Sequence, residues 1–380
     1  VNRSQELLIL KIIAGLIIDL SSFLWNCSFP YYHNPKNNQE CRKFLFHMRE
    51  AEKMINHIFS CILLWSVIKW RGERWRSAGY SVPGMIRERE LPMIQDIEPK
   101  KLSNAYSCRK PQKESRILIF RDDQILYADR GGQMEFLTWE QLQACREPHG
   151  GVAPGKTVYL FSVEEVDYFL TDIGSETLPE GFGYHKMFET RTMHPKENVF
   201  AAATGWHLYV WYRDNQFCGR CAGKLVHDSK LRMMRCPACG NMVFPKIAPA
   251  VIVGVTDGDR ILMTKYAGRE YKKYALIAGF TEVGETAEQT VEREVMEEVG
   301  LNVRNIRYYK SQPWGYDSNL LMGYFCDLAD NDEIHMDETE LSVAEWVDYR
   351  DIPDDPEGLS LTREMMITFR EQKKREYRQG

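Results

Sequence analysis

Between Gly279 and Leu301 the chain reads GFTEVGETAEQTVEREVMEEVGL, and few folds accommodate that stretch. Thr286 and Gln289 have capping-box spacing, Gly300 is placed as a stop, and Ala287, Val291, Val295 and Val299 recur every fourth residue. The spacing predicts one short amphipathic helix entered from a glycine-bearing loop. Glu294, Glu297 and Glu298 then fall at i, i+3 and i+4, on a single face. Like charges so placed weaken a helix unless something cationic sits among them, and Arg293 can orient only some of them. Clustered hard oxygen ligands suit Mg²⁺ or Mn²⁺, which in turn suit phosphate chemistry. A merely solvated acidic face accounts for Glu288 and Glu292. It gives no reason for Gly279, Glu282, Gly284, Glu285 and Arg293 around them.

A second constraint lies upstream, in Cys218-x2-Cys221-x14-Cys236-x2-Cys239. Each pair sits on a tight turn helped by Gly219 or Gly240, and the gap suits two knuckles facing each other. Four thiolates close a tetrahedral Zn²⁺ site with no open position, so the metal is expected to be structural. Lys224, His227, Lys230, Arg232 and Arg235 between the pairs admit a nucleic-acid-binding ribbon, but they are ordinary for a solvated hairpin. The other six of the ten cysteines are scattered, which points to a reducing, cytoplasmic compartment.

At 380 residues the chain is long enough for about two or three domains. A net charge of −5 gives no sign of a general nucleic-acid binder. The charge is uneven: residues 1–92 hold 13 Lys/Arg against 8 Asp/Glu, and the remainder 36 against 46. Within 1–92, Leu7–Trp25 is a largely apolar run broken by Lys11 and Asp19, and Ile58–Trp70 is a shorter one followed by Arg71, Arg74 and Arg76. A membrane anchor is one reading, yet charges inside a marginal span are costly, so membrane association is not expected. No secretory leader pattern stands out. Met93-Ile94-Gln95-Asp96 reads as a fresh start, with 1–92 a non-native or read-through extension.

From Ser115 the pattern is strand-like. Ile117–Phe120 and Gln124–Ala128 should form a hairpin across Arg121-Asp122-Asp123, with Thr157–Ser162 and Val166–Leu170 as further strands. Thr138–Cys145 and Pro195–Tyr212 read as helices. After the cysteines, strands are expected at Ala250–Val255, Ile261–Tyr266, Tyr274–Ala278, Val303–Gln312, Leu320–Leu328 and Val343–Val347, with a helix over 361–377. The fold class is thus mixed α/β (α+β). A module at 93–213 and a four-cysteine zinc ribbon at 214–246 precede an α/β/α sandwich at 247–380.

The segment 279–301 matches the Nudix box, G-x5-E-x7-R-E-U-x-E-E-x-G-U with U apolar, at every specified position. Ser311-Gln312-Pro313-Trp314 follows ten residues later. Taken in order, the cysteine quartet, the FPKIAPAVIV segment, the box and SQPW resemble the NADH pyrophosphatase (NAD⁺ diphosphatase) family of Nudix hydrolases. The resemblance covers about residues 93–380 and is sharpest over 218–346. Family members usually continue with Pro-Phe-Pro and a serine, where this chain has Gly315-Tyr316-Asp317 and Asn319.

The resemblance implies metal-dependent hydrolysis of the pyrophosphate of NAD(H) to nicotinamide mononucleotide and AMP. It implies Glu294, Glu297, Glu298 and Glu340 as Mg²⁺ or Mn²⁺ ligands, with Glu285 a further candidate. Glu298 or a cation-activated water supplies the nucleophile, and Arg293 orients the carboxylates. Phe280 and Trp314 would stack on the substrate's flat ring, with Phe244, Gln312 and Tyr316 lining the pocket. In the family the tryptophan comes from a partner subunit, which implies a homodimer. NAD-capped RNA is an alternative substrate, since the same bond is cut, and ADP-ribose or another nucleoside diphosphate derivative is a third. A non-catalytic ribbon with a decayed Nudix fold would be expected to lack some of the carboxylates, and none is missing.

Overall fold

The computed structural model describes residues 93–146, 157–173, 178–268, 272–354 and 359–379. The chain divides into Val1–Glu88 and Arg89–Gly380, and every described residue belongs to the second unit. The apolar runs Leu7–Trp25 and Ile58–Trp70 lie outside the described residues. Among the described residues no helix is long and apolar enough to cross a membrane.

The box predicts its helix well. Ala287–Val299 is α-helical, Thr286 Oγ1 accepts from the Gln289 N–H at 3.2 Å, and the Gln289 side chain accepts from the Thr286 N–H at 2.9 Å. Gly300 ends the helix in the left-handed region at φ 68°, where a Cβ would be strained. Replacing Thr286 with Ala removes half of this box, and we expect a loss of about 1 kcal/mol of stability by urea titration.

Six strands form the sheet beneath the helix. Ala248–Asp257 lies at its centre, parallel to Asn319–Leu328 and antiparallel to Ile277–Phe280 and Arg260–Tyr266. Val303–Trp314 and Leu341–Asp348 form the edges. Because the central strand is covered on both sides, its residues alternate between two cores rather than between core and water. Val251, Val253 and Val255 meet Val291, Val295 and Val299 of the box helix. Ala250 and Ile252 share the opposite core with Leu361, Met365, Met366 and Phe369 of the C-terminal helix Leu361–Gln379. Burying the three helix valines contributes about 5–9 kcal/mol as an upper figure. The result is the expected α/β/α sandwich.

Upstream, a five-stranded and a four-stranded sheet pack with the helices Trp139–Arg146 and Lys196–Asp214. The expected hairpin departs from a single pair of strands. Arg116–Leu118 pairs parallel to Val166–Leu170 in one sheet, and only Phe120–Arg121 turns back on Gln124–Asp129 in the other. The break at Ile119 lets one short stretch serve two sheets. The core of this module is continuous with that under the C-terminal helix, since Phe120, Leu160 and Ala203 cluster with Ala250 and Met365. Between module and sandwich, Val226–His227, Met234–Arg235 and Met242–Val243 make a three-stranded ribbon.

Candidate active site and zinc ribbon

Gly279 ends the approach to the box, opposite Val251 in the central strand. A Cβ built on Gly279 would lie 1.8–2.3 Å from the carboxylate atoms of Glu294. The glycine is therefore required by the acid above it: the Glu294 carboxylate rests where any other residue would place its side chain. Replacing Gly279 with Ala must move that carboxylate. We expect activity to fall by about 10²-fold, read from kcat/KM with circular dichroism unchanged.

Arg293 braces the cluster. Its Nη1 donates to Glu294 Oε1 at 2.7 Å and to Glu297 Oε2 at 2.9 Å, and its Nη2 donates to the Phe280 carbonyl at 2.9 Å. Its Nε and Nη2 also reach the two oxygens of Glu285 at 2.6 and 3.0 Å. Burial pushes the Glu294 carboxyl above the usual range against the pull of Arg293, and the charges of Glu297 and Glu340 add to the rise. Glu340 lies on an exposed turn, near enough for its negative charge to act on Glu294. Glu298 is 3 % exposed and Glu294 9 %, while Glu297 stands in solvent.

Glu285 has a different place from the one expected. Besides Arg293 it accepts from the Glu282 N–H at 3.0 Å and from Thr290 Oγ1 at 3.0 Å. Four donors occupy the lone pairs a carboxylate offers, and hydrogen bonding from Arg293 holds its pKa down to about 2. It is a strut for Arg293 rather than a cation ligand. Thr290, absent from the sequence reading, belongs to this strut, and its position five residues after Glu285 gave no such signal.

The residues expected to line a substrate pocket separate into two groups. Phe280 and Phe244 are open, at 54 % and 53 % exposure. Gln312 is fully buried instead: Nε2 donates to Gln95 Oε1 and to the Leu359 carbonyl, and Oε1 accepts from the Leu361 N–H. Both ends of its amide are committed to holding the start of the C-terminal helix, so it faces no substrate. Trp314 is 9 % exposed, beneath the Arg191 guanidinium and beside Tyr316, and Nε1 donates to Asp317 at 3.0 Å. The Tyr316 hydroxyl is turned inward, 2.8 Å from Thr190 Oγ1, and burial pushes its pKa up to about 12. Phe280 pairs with Ala250, which pairs with Leu321, which pairs with Gln312 beside Trp314. Phe280 and Trp314 are thus three strands apart, about 14 Å across the sheet.

The four cysteines converge. Their sulfurs all lie within 4.8 Å of one another, with Cys218–Cys239 at 3.6 Å and Cys221–Cys236 at 3.4 Å. Tetrahedral Zn–S bonds of about 2.3 Å place sulfurs about 3.8 Å apart, so the set fits Zn²⁺. The Arg220 N–H at 3.4 Å favours the thiolate at Cys218, whereas hydrogen bonding among the crowded sulfurs raises the Cys221 thiol, so a cation is needed to hold all four as thiolates. Among the described residues this is the one set of three or more ligating groups drawn that close, and all seven described cysteines are free thiols. The box carboxylates stand further apart, with Arg293 placed among them.

Residues 213–244 match the NADH pyrophosphatase zinc ribbon domain, and residues 246–367 match the NUDIX domain. The segment 213–367 thus carries a NUDIX domain preceded by an NADH-pyrophosphatase-type zinc ribbon. The four cysteines of this ribbon suit a structural Zn²⁺. The chain is 42 % identical over 153 residues to the NAD-capped RNA hydrolase NudC of Klebsiella pneumoniae subsp. pneumoniae, covering 40 % of this chain and 59 % of that one. To the NudC of Photorhabdus laumondii subsp. laumondii it is 38 % identical over 165 residues, covering 43 % and 64 %. The chain therefore spans about three fifths of the length of the curated relatives it matches. A NUDIX hydrolase structure from Nitrosomonas europaea is 26 % identical, with a TM-score of 0.33 over 36 % of this chain and 80 % of that one.

Proposed function

We propose that this Nudix protein hydrolyses the pyrophosphate bond of NAD(H), giving nicotinamide mononucleotide and AMP. The carrying observation is the Glu294 carboxylate seated over Gly279 and braced by Arg293, with Glu298 buried one turn along. Buried acids on successive turns, unbalanced by one arginine, form a donor set for hard cations. Glu294, Glu297, Glu298 and Glu340 hold them. Mg²⁺ or Mn²⁺ bound there supplies charge neutralisation at the diphosphate and at the leaving phosphate oxygen. Glu298 takes the proton of the attacking water, and Arg293 keeps the carboxylates aimed while touching no substrate. Phe280, exposed as Phe244 is, offers an open ring to a flat base.

A flat ring held on both faces needs walls about 7–8 Å apart. Phe280 and Trp314 of one chain are about twice that apart. The family resemblance assigns that second wall to Trp314 of another copy, so the working unit in this reading is a homodimer, in a reducing cytoplasmic setting. Light scattering is expected to give twice the chain mass.

The names of the relatives favour a second reading, removal of NAD caps from RNA. Residues 93–380 carry 36 Lys/Arg against 46 Asp/Glu, an unfavourable field for a polyanion. We therefore place the free dinucleotide first. Chromatography after incubation with NADH and Mn²⁺ should show reduced mononucleotide and AMP in equal amounts, with a higher kcat/KM than for capped RNA. Release of nicotinamide, or no conversion, would refute the assignment.

A further inference from the structure

The strand Val303–Trp314 ends in a loop, Trp314–Asp317, held from outside the Nudix domain. The turn Met187–Thr192 of the upstream module provides two grips. Thr190 Oγ1 donates its proton to the Met187 carbonyl at 2.7 Å, so in the 2.8 Å contact with Tyr316 it is the tyrosine that donates. Arg191 lies between two rings, 5.0 Å from the centroid of Phe188 and 5.1 Å from that of Trp314, within cation–π range. The helix Lys196–Asp214 adds two more. Trp206 Nε1 donates to the Tyr316 carbonyl at 3.2 Å, and a Cβ on Gly315 would come within 2.1 Å of the Ala203 carbonyl oxygen. Gly315 is thus the residue that lets helix and loop touch.

A glycine at this point removes stiffness from the loop itself, and the contacts from the module restore it. The position of the loop is therefore set by the module that holds it. We propose that Thr190 and Arg191 are positioning residues for Trp314: the turn Met187–Thr192 sets how much of the indole is offered to the dinucleotide base. This rests on the NAD(H) reading above. It locates substrate affinity partly in a module that holds none of the box carboxylates. Because the clamp acts on the base and not on the diphosphate, it governs KM and leaves kcat alone.

The test is steady-state kinetics with NADH and Mn²⁺ on the full chain, for Tyr316→Phe, Thr190→Val, the pair together, Arg191→Ala and Arg191→Lys. Losing one buried hydrogen bond corresponds to about a fivefold change. Tyr316→Phe and Thr190→Val should each raise KM about fivefold with kcat within about twofold, and the double variant should be no worse than either. Arg191→Ala should raise KM by at least that much, with Arg191→Lys recovering part of it. An unchanged KM in all variants overturns the clamp while leaving the NAD(H) reading intact. So does a fall in kcat that tracks a lowered melting temperature and is not relieved by Arg191→Lys, since that is the mark of a purely structural contact. A wild-type protein that cleaves no NADH overturns the functional reading and the clamp with it.

Discussion

Glu298→Gln is expected to lower kcat by about 10²–10⁴-fold while leaving the melting temperature within a degree or two. The size follows from the role: a group that accepts a proton in the rate-determining step contributes about that much. The structural silence follows from the site. Glu298 is buried on the helix face that carries Glu294, and glutamine keeps its volume while removing its charge. The backbone carbonyl of Glu298, which accepts from the Asp337 N–H at 2.9 Å, is untouched by the substitution. Glu297→Gln should cost less, because that side chain already stands in solvent. Equal losses at the two positions would remove the asymmetry between buried base and exposed ligand. The assay is NADH turnover at saturating Mn²⁺, paired with a thermal melt.

Cys236→Ser is expected to act in the opposite sense, through the fold. Structural zinc supplies about 10–16 kcal/mol to a small ribbon, as much as the whole net stability of a typical domain. The three strands of this ribbon are two residues each, too short to persist without the metal. The core beneath them contains Cys218, Cys236, Leu225, Met234 and Trp211. Trp211 belongs to the helix Lys196–Asp214, so loss of zinc should loosen the module as well as the ribbon. Atomic absorption should find less than one zinc per chain and light scattering should detect aggregation. A monodisperse, zinc-free Cys236→Ser protein with normal activity would contradict a structural role for the metal.

Different parts of this molecule were legible in the sequence to different degrees, for reasons that can be traced to particular residues. The box helix was readable to the residue because its signals are local: the Thr286–Gln289 box, valines at every fourth position and Gly300 all lie within one helix length. The cysteine quartet was equally plain, since short fixed spacings fix the geometry of the turns. Contacts made across the fold were not legible. Nothing beside Gln312 in SQPW tells that its amide turns inward to meet Gln95 and Leu361, residues distant in the chain. Glu285 looked like one more carboxylate, and only the folded loop shows its lone pairs filled. Gly279 was recognised as part of a pattern, while its physical reason, the Glu294 carboxylate on top of it, appears only in three dimensions. The Gly315-Tyr316 departure gave a signal without an interpretation. Its meaning came from Thr190, Ala203 and Trp206, more than a hundred residues earlier.

Anomalous scattering from crystals grown with Mn²⁺ tests the carboxylate corner most directly. Manganese is expected within about 2.2 Å of side-chain oxygens of Glu294 and Glu298, with Glu297 or Glu340 completing the set and Glu285 still bound to Arg293. Manganese peaks away from the box helix in a crystal form that turns over NADH would contradict the account.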